Sequence, residues 1–342
     1  MKVYHAELDE AQADPALAAL FACAPGVTPF DRLDWLRLMA DECLAPAHTL
    51  IAVAREGDSL AALPLVERAD GYGALANWYS FIARPRWTDA GKAPRMLSAI
   101  MRSLSPVGAL SFAPMPAPEA AMLRNAARAA GWITRLTHAD ANHVLHPAGR
   151  DFATWWARRP GPLRETVRRK QRKGAVKIRI ARTFDPADWD AYAAIYAQSW
   201  KPAEGSPRFL RRFAQAEGAA GRLRLGLASV DGTPVAAQLW TIEDHTAFIH
   251  KLAHDPAAAA HSPGTLLSHA LFAMAFGDDR VATIDFGTGN DAYKRDWMEH
   301  VRPRYRLEAV YPGAPRRWPM LARLIARTVL RRNDLARPET LG

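Results

Sequence analysis

Two stretches of this 342-residue chain run through the same series of parts. From Thr28, "TPFDRLDWLRLMADECLAPAHTLIAVAREGDSLAALPLVERADGYGAL" predicts a helix, a strand, a tight turn and a second strand. From Ser206, "SPRFLRRFAQAEGAAGRLRLGLASVDGTPVAAQLWTIEDHTAFI" predicts the same order. The turn sequences "REGDS" and "VDGTP" fall at equivalent places, each between apolar runs suited to paired strands. An echo of this length is the mark of a duplicated unit. The chain length agrees, because it exceeds the size at which a single core usually stops growing.

The elements after each hairpin complete the fold class. The first hairpin leads into a helix "APRMLSAIMRSL", a strand "ALSFAP", a helix "PEAAMLRNAARAAG" and a strand "ITRLTH". The second leads into a strand "AFIHKLAHD", a helix from Gly264 to Gly277, a strand "ATIDFG", a helix "DAYKRDWMEHV" and a strand "RYRLEAVY". Each half is therefore expected to be a mixed α/β sheet flanked by helices, an α+β fold. Proline, glycine and charge concentrate in "HPAGRDFATWWARRPGP", which sets a boundary there. The expected divisions are an N-terminal half at 1–149, a basic linker helix with the first strand of the second half at 150–182, a C-terminal half at 183–312, and a basic amphipathic helix and tail at 313–342.

The net charge of +10 is concentrated in two segments. Residues 150–182 carry twelve Lys and Arg against two acids, and residues 302–332 carry nine Arg against one acid, so the rest of the chain is net negative. Anionic partners are expected at these two segments. The linker lacks interleaved aromatics and any base-reading module, so DNA is not an expected partner. Cys23 and Cys43 have neither disulfide nor metal-ligand spacing. His138, Asp140, His143 and His146 form a histidine-rich run, but a strand through "NHVLHP" sends His143 and His146 to opposite faces, and no metal is expected. The start is acidic and no run of eighteen apolar residues occurs, which predicts a cytoplasmic protein, peripheral at most on the inner face of a membrane.

Two segments carry chemistry. "HSPGTLL" opens a helix at Pro263, Gly264 and Thr265, where free N–H groups and the helix dipole favour an anion. The plainer alternative is that Ser262 caps this helix and Pro263 starts it. "DFGTGNDAYKRDW" ends a short apolar strand at Asp285, bends at Gly287 and Gly289, and places Tyr293, Lys294 and Trp297 in the first turns of a helix. Tyr293 and Trp297 lie one turn apart on one face. Both segments fall at the carboxyl ends of strands, where open α/β sheets collect ligands.

Together these two motifs resemble the CelD-like acetyltransferase family of the GNAT superfamily, over residues 150 to 312. "PLRETVRRKQRKG", Ser199 with Trp200, and Gln238 also match family positions. The usual multi-glycine phosphate loop is reduced here to Ser262, Pro263 and Gly264. The resemblance implies a tandem GNAT fold with a degenerate N-terminal half, an active site in the C-terminal half, and acetyl-CoA or a longer acyl-CoA as co-substrate. It implies that the N–H groups of Gly264, Thr265 and Leu266, beside Ser262 and Pro263, hold the pyrophosphate, and that the strand at Leu252, Ala253 and His254 splays to bind the pantetheine arm. Tyr293 is then the general acid, Asp285 or His250 the base, and Lys294 an oxyanion or acceptor contact. Trp200, Gln238, Lys251, Gly287 and Gly289 fall on the acceptor side. The acceptor is a primary amine on a small molecule, a lipid or a polysaccharide.

Near the C-terminus, Trp318, Leu321, Ala322, Ile325 and Val329 form one helical stripe, with Arg316, Arg323, Arg327 and Arg331 opposite. This pattern suits an anionic leaflet or the protein's own core. Two other functions fit the same sequence: a FemAB-like transferase fed by aminoacyl-tRNA, and a non-catalytic module recruited to an envelope assembly system.

Overall fold

Both hairpins expected from the repeated turns are present. Asp231 and Gly232 take φ of 48° and 82°. Positive φ at both central residues matches the twist of the flanking strands, which is why an Asp-Gly pair sits there. The computed structural model describes residues 1–330. They divide into two compact units, one of Met1–Ala141 with the chain from Pro303, the other Asn142–Arg302.

The strands of the first unit are β1 (Lys2–Ala6), β2 (Thr49–Glu56), β3 (Ser59–Arg68), β4 (Gly71–Ala74), β5 (Arg86–Trp87), β6 (Ala109–Met115) and the start of β7 (Ile133–Leu145). Those of the second are the end of β7, then β8 (Val176–Ala181), β9 (Leu223–Val230), β10 (Thr233–Glu243), β11 (Thr246–His254), β12 (Thr283–Thr288) and the start of β13 (His300–Val310). Helices α1 (Leu8–Ala13), α2 (Pro15–Leu20), α3 (Leu33–Met39), α4 (Ala93–Ser103) and α5 (Ala117–Ala129) belong to the first unit. The second has α6 (Phe152–Ala157), α7 (Gly161–Lys173), α8 (Pro186–Gln198), α9 (Pro207–Ala219), α10 (Pro263–Gly277) and the short α11 (Lys294–Trp297). The first unit closes with α12 (Trp318–Leu330).

In the first unit the sheet order is β1-β2-β3-β4-β6-β13, with β5 on β3. Only the β4–β6 pair is parallel. The apolar faces of α4 and α5 close its core around Leu63, Leu97, Ile100, Phe112 and Leu123. The sequence reads the second half as ending at residue 312, but from Tyr305 β13 pairs with β6, and Leu307 and Ala309 enter the first unit's core.

In the second unit the order is β7-β12-β11-β10-β9-β8, antiparallel except for β11 with β12. The first six residues of β9 are buried, as befits a strand covered on both faces, while the edge strand β8 exposes Lys177 and Arg179. At Gly226 of β9 a β-carbon would come within 2.9 Å of Leu267 and 3.0 Å of Leu271. That glycine lets α10 lie close on the sheet.

Two expected elements differ. The strand "ITRLTH" and the run "NHVLHP" are one strand, β7. The helix expected over "DAYKRDWMEHV" shrinks to Lys294–Trp297. Glu299 is drawn out of helical geometry by Arg150, at 2.7 and 2.9 Å, and by Arg159 at 2.7 Å, while its N–H bonds the Val144 carbonyl at 3.3 Å. The chain is already extended at Met298.

The second unit's core is aromatic. Fully buried Trp155 stacks on Phe272 at 5.1 Å, meets Phe276 at 5.2 Å and Trp297 at 6.3 Å, and carries the Arg159 guanidinium over its ring at 5.0 Å. Such rings combine large apolar area with favourable ring geometry. Trp155→Ala is expected to lower unfolding stability by about 3–5 kcal/mol, measured by urea denaturation. A loss below about 1 kcal/mol would show that this cluster does not hold the unit together.

Candidate active site

The site begins where two neighbouring strands separate. β11 and β12 pair through Thr246 with Thr283, Ala247 with Ile284 and Phe248 with Asp285, and there the pairing stops. Beyond it each strand keeps only its outer neighbour, β11 with β10 and β12 with β7. A bulge marks the separation: Leu239 faces Lys251 and Trp240 faces Ile249, leaving His250 out of register.

β12 is held to β7 by side chains. Asn142 Nδ2 donates to Asp285 Oδ1 at 2.6 Å and to the Gly287 carbonyl at 3.0 Å. The Gly287 N–H also donates to Asp285 Oδ1, at 2.8 Å, and Arg302 binds Asp285 Oδ2 at 2.9 Å. Positive φ of 66° and 97° at Gly287 and Gly289 then folds the chain back.

α10 brings its N-terminus to the opening. Ser262, at φ 53° and ψ 45°, makes no side-chain cap bond, so the alternative reading of Ser262 as a cap does not hold. The Leu266 N–H is taken by the Ser262 carbonyl at 3.1 Å. The N–H groups of Gly264 and Thr265 have no acceptor among the described residues. Gln238 of β10 anchors this turn: Nε2 donates to Ser268 Oγ at 2.7 Å and to the Gly264 carbonyl at 3.3 Å, and Oε1 accepts from Trp240 Nε1 at 2.9 Å. The nearest neighbour of a β-carbon at 264 would be the His254 side chain, at 3.4 Å. Crowding within the protein does not demand glycine there, and its bareness leaves the helix mouth open.

A cleft of about 390 Å³ lies over this opening. Ser262, Pro263, Gly264 and Thr265 form one side, and Leu252, Ala253 and His254 the adjoining strand edge. Trp200, Gln238 and Tyr293 complete the expected residues that line it. Trp200 packs on His254 at 4.5 Å, and burial pushes the His254 imidazole below its ordinary pKa, keeping it neutral. Tyr293 is 39 % exposed and meets the Phe286 ring at 5.7 Å. Burial, with the carboxylate of Asp291, pushes its phenol upward, so it stays protonated at neutral pH.

Other expected residues stand outside the lining. Lys294 is 4 % exposed; its ammonium donates to the Thr288 carbonyl and to the Gly289 carbonyl at 3.3 Å, and lies 3.6 Å from Asp291. It pins the glycine loop from beneath. Asp285 is buried in the strand network described above. His250 bonds Thr241 Oγ1 at 2.8 Å and meets Phe213 of α9, on the sheet face away from α10. Lys251 pairs with Glu204 at 2.9 Å. Leu266 is buried in the packing of α10.

Sequence reasoning missed Leu163, Ser268, Phe286 and Asp296, which also line the cleft, and Trp297, which it placed beside Tyr293 without assigning it a role. It also missed Asn142, whose position in a histidine-rich run drew attention to metal chemistry instead. The histidines of that run have separate settings: His143 bonds Asn290 at 3.0 Å, His146 bonds Thr283 at 3.2 Å, and His138 meets the Tyr305 ring.

A family model described as an acetyltransferase (GNAT) domain matches residues 157–295, which contain nearly all of this site. That segment is similar to GNAT acetyltransferase domains, and the fold of the chain is that of tandem GNAT proteins. FemX has a similar structure, with a TM-score of 0.61 and 10% identity over 90% of this chain and 97% of that one. So has the C-terminal domain of a putative lysylphosphatidylglycerol synthetase from Agrobacterium fabrum, at 0.57 and 13% identity over 92% and 95%. A tandem GNAT protein from the clavulanic acid biosynthesis pathway scores 0.52, with 13% identity over 90% and 98%. At these identities the shared property is the fold. No curated protein matches the sequence.

Gln238→Leu tests how the helix mouth is held. It leaves Ser268, the Gly264 carbonyl and the Trp240 N–H without their partner, and is expected to cost about 1–3 kcal/mol in chemical denaturation and to speed hydrogen exchange over residues 264–268. Unchanged exchange there would show that Gln238 does not position the turn.

Proposed function

We propose that this cleft transfers an acyl group from acyl-CoA to a primary amine. One observation carries the reading: the uncapped N–H groups of Gly264 and Thr265 and the protonated phenol of Tyr293 face the same cleft. A pyrophosphate suits the helix mouth, where backbone donors and the helix dipole coincide. The open edge of β11 at Leu252, Ala253 and His254 suits an extended arm bearing amides. The thioester then lies toward Tyr293.

In the transfer, the amine nitrogen attacks the thioester carbonyl carbon, the C–N bond forms, and the C–S bond breaks with its electron pair on sulfur. Tyr293 supplies a proton to the leaving thiolate, and the proton that the amine nitrogen gives up returns to the phenolate through water in the cleft, so that amide and free thiol are the products. Asp285 and Lys294 act in this reading by holding the two ends of the loop that presents Tyr293, since their polar atoms already have protein partners. Phe286 and Trp297 bound the acyl end with aromatic surface, which accepts acetyl or a longer chain.

A second donor, aminoacyl-tRNA as in FemAB-like enzymes, is favoured by the placement of the basic helix α7. Its Leu163 lines the cleft, and its Lys170 donates to the Ala260 carbonyl ahead of the helix mouth. The reading as a membrane-associated protein rests on α12. It docks through Leu324, at 5 % exposure, while Trp318 at 58 % and Ile325 at 46 % face outward among arginines. Of the expected stripe, Trp318, Ala322 and Ile325 are exposed and Leu321 is half-buried, while the docking residue Leu324 was not part of it; Arg331 and the side chain of Val329 lie outside the described part of the chain. No helix among the described residues is long and apolar enough to cross a membrane. A recruiting module without catalysis remains the reading if the cleft takes no donor.

Calorimetry separates these readings. Wild type is expected to bind acetyl-CoA, Gly264→Trp to lose that binding by at least about thirtyfold because the indole fills the helix mouth, and Tyr293→Phe to bind normally while transfer to an amine panel falls about 10²-fold or more. No heat with acetyl-CoA, but heat with aminoacyl-tRNA, would replace the donor. For the surface reading, the full chain is expected to sediment with phosphatidylglycerol vesicles and not with phosphatidylcholine vesicles, and Trp318→Ala with Ile325→Ala to weaken this by about fivefold. Equal sedimentation of wild type and variant would remove α12 from that role.

A further inference from the structure

Next to Trp200, which lines the cleft, three lysines outside the lining, Lys201, Lys251 and Lys294, share one field, and of these acyl transfer as described uses only Lys294. Lys251 is paired with Glu204, at 2.9 Å to Oε2 and 3.1 Å to Oε1, and its ammonium lies 5.3 Å from the centre of the Tyr196 ring. Lys294 is paired with Asp291 and with loop carbonyls. Both carboxylates of the group thus already have a lysine. Lys201 is different. Its ammonium lies 5.8 Å from the centre of the Trp200 ring, and no carboxylate comes within ion-pair distance of it among the described residues. Burial pushes Lys201 below its ordinary pKa, and the charges of Lys251 and Lys294 add to this against the opposing carboxylates of Asp291 and Glu204.

A half-buried cation between two other cations, with its nearby acids engaged elsewhere, is a costly arrangement unless something else supplies the counter-charge. We propose that Lys201 is an oxyanion subsite for the acceptor, and that the acceptor amine therefore carries a phosphate or carboxylate close to its nitrogen. This rests on reading the cleft as the acyl-transfer site. Trp200 connects the two: its ring lies within cation–π range of the Lys201 ammonium and also lines the cleft with His254. The acid selects the acceptor, and the amine reacts.

The test uses calorimetry on the full chain with three amines of similar size: O-phosphoethanolamine, β-alanine and propylamine. Wild type is expected to bind at least one of the two acidic amines about tenfold or more tighter than propylamine, in line with a charge-assisted contact. The stronger of the two identifies phosphate or carboxylate as the group recognised. Lys201→Met is expected to lose this preference and Lys201→Arg to recover most of it. The melting temperature of Lys201→Met should equal or exceed that of wild type, because an uncompensated cation has been removed; a purely structural lysine would give a fall. Equal binding of all three amines to wild type, or a preference that survives Lys201→Met, overturns the proposal. These arms need no acyl donor, so an absence of acetyl-CoA binding would remove the donor reading while leaving the subsite to be judged by its own result.

Discussion

The structure depends on a parting of strands. β11 and β12 begin as hydrogen-bonded neighbours and separate after Phe248 and Asp285, which puts an opening inside a sheet that would otherwise be closed. An opened strand edge is costly unless each side finds other partners. The freed edge of β11 faces the cleft, while the strand's other edge keeps its partners in β10 past a bulge at His250. β12 finds them in Asn142, Arg302 and β7. Everything that lines the cleft is placed by one side or the other of this division.

The two sides are built differently. On the β11 side, Gln238 ties the first turn of α10 to the sheet, and Gly226 lets the helix lie close enough for that bond to form. On the β12 side, the glycine loop is held at one end by Asp285 and at the other by Lys294, so Tyr293 enters the cleft from a loop with both ends fixed. The residues with the most conspicuous charges therefore position the loop, while a neutral phenol and two bare N–H groups face the opening. This suits a site that must take an anionic donor and still protonate a leaving sulfur.

Much of the fold was legible because local signals agree with one another. Paired Gly-Asp and Asp-Gly turns, apolar runs of strand length and repeated order are all short-range features. The helix mouth at Gly264 and the phenol at Tyr293 were legible as motifs. The features hidden from sequence reasoning depend on long-range contacts. The short α11 results from Arg150 and Arg159 capturing Glu299 across about 140 residues of chain. The engagement of Lys294 depends on carbonyls exposed by the turn before it, and the importance of Asn142 on a strand distant in sequence. Lys201 directly succeeds Trp200 in the chain, yet its lack of a counterion appears only once Glu204 and Asp291 are seen to have partners.

The most direct measurement of the central claim is a crystal structure of the full chain with acetyl-CoA. The account predicts pyrophosphate oxygens at the N–H groups of Gly264 and Thr265, and the thioester sulfur within hydrogen-bond reach, about 3.5 Å, of the Tyr293 hydroxyl. Density for the cofactor on another face, or a bound thioester that leaves Tyr293 pointing elsewhere, would contradict it.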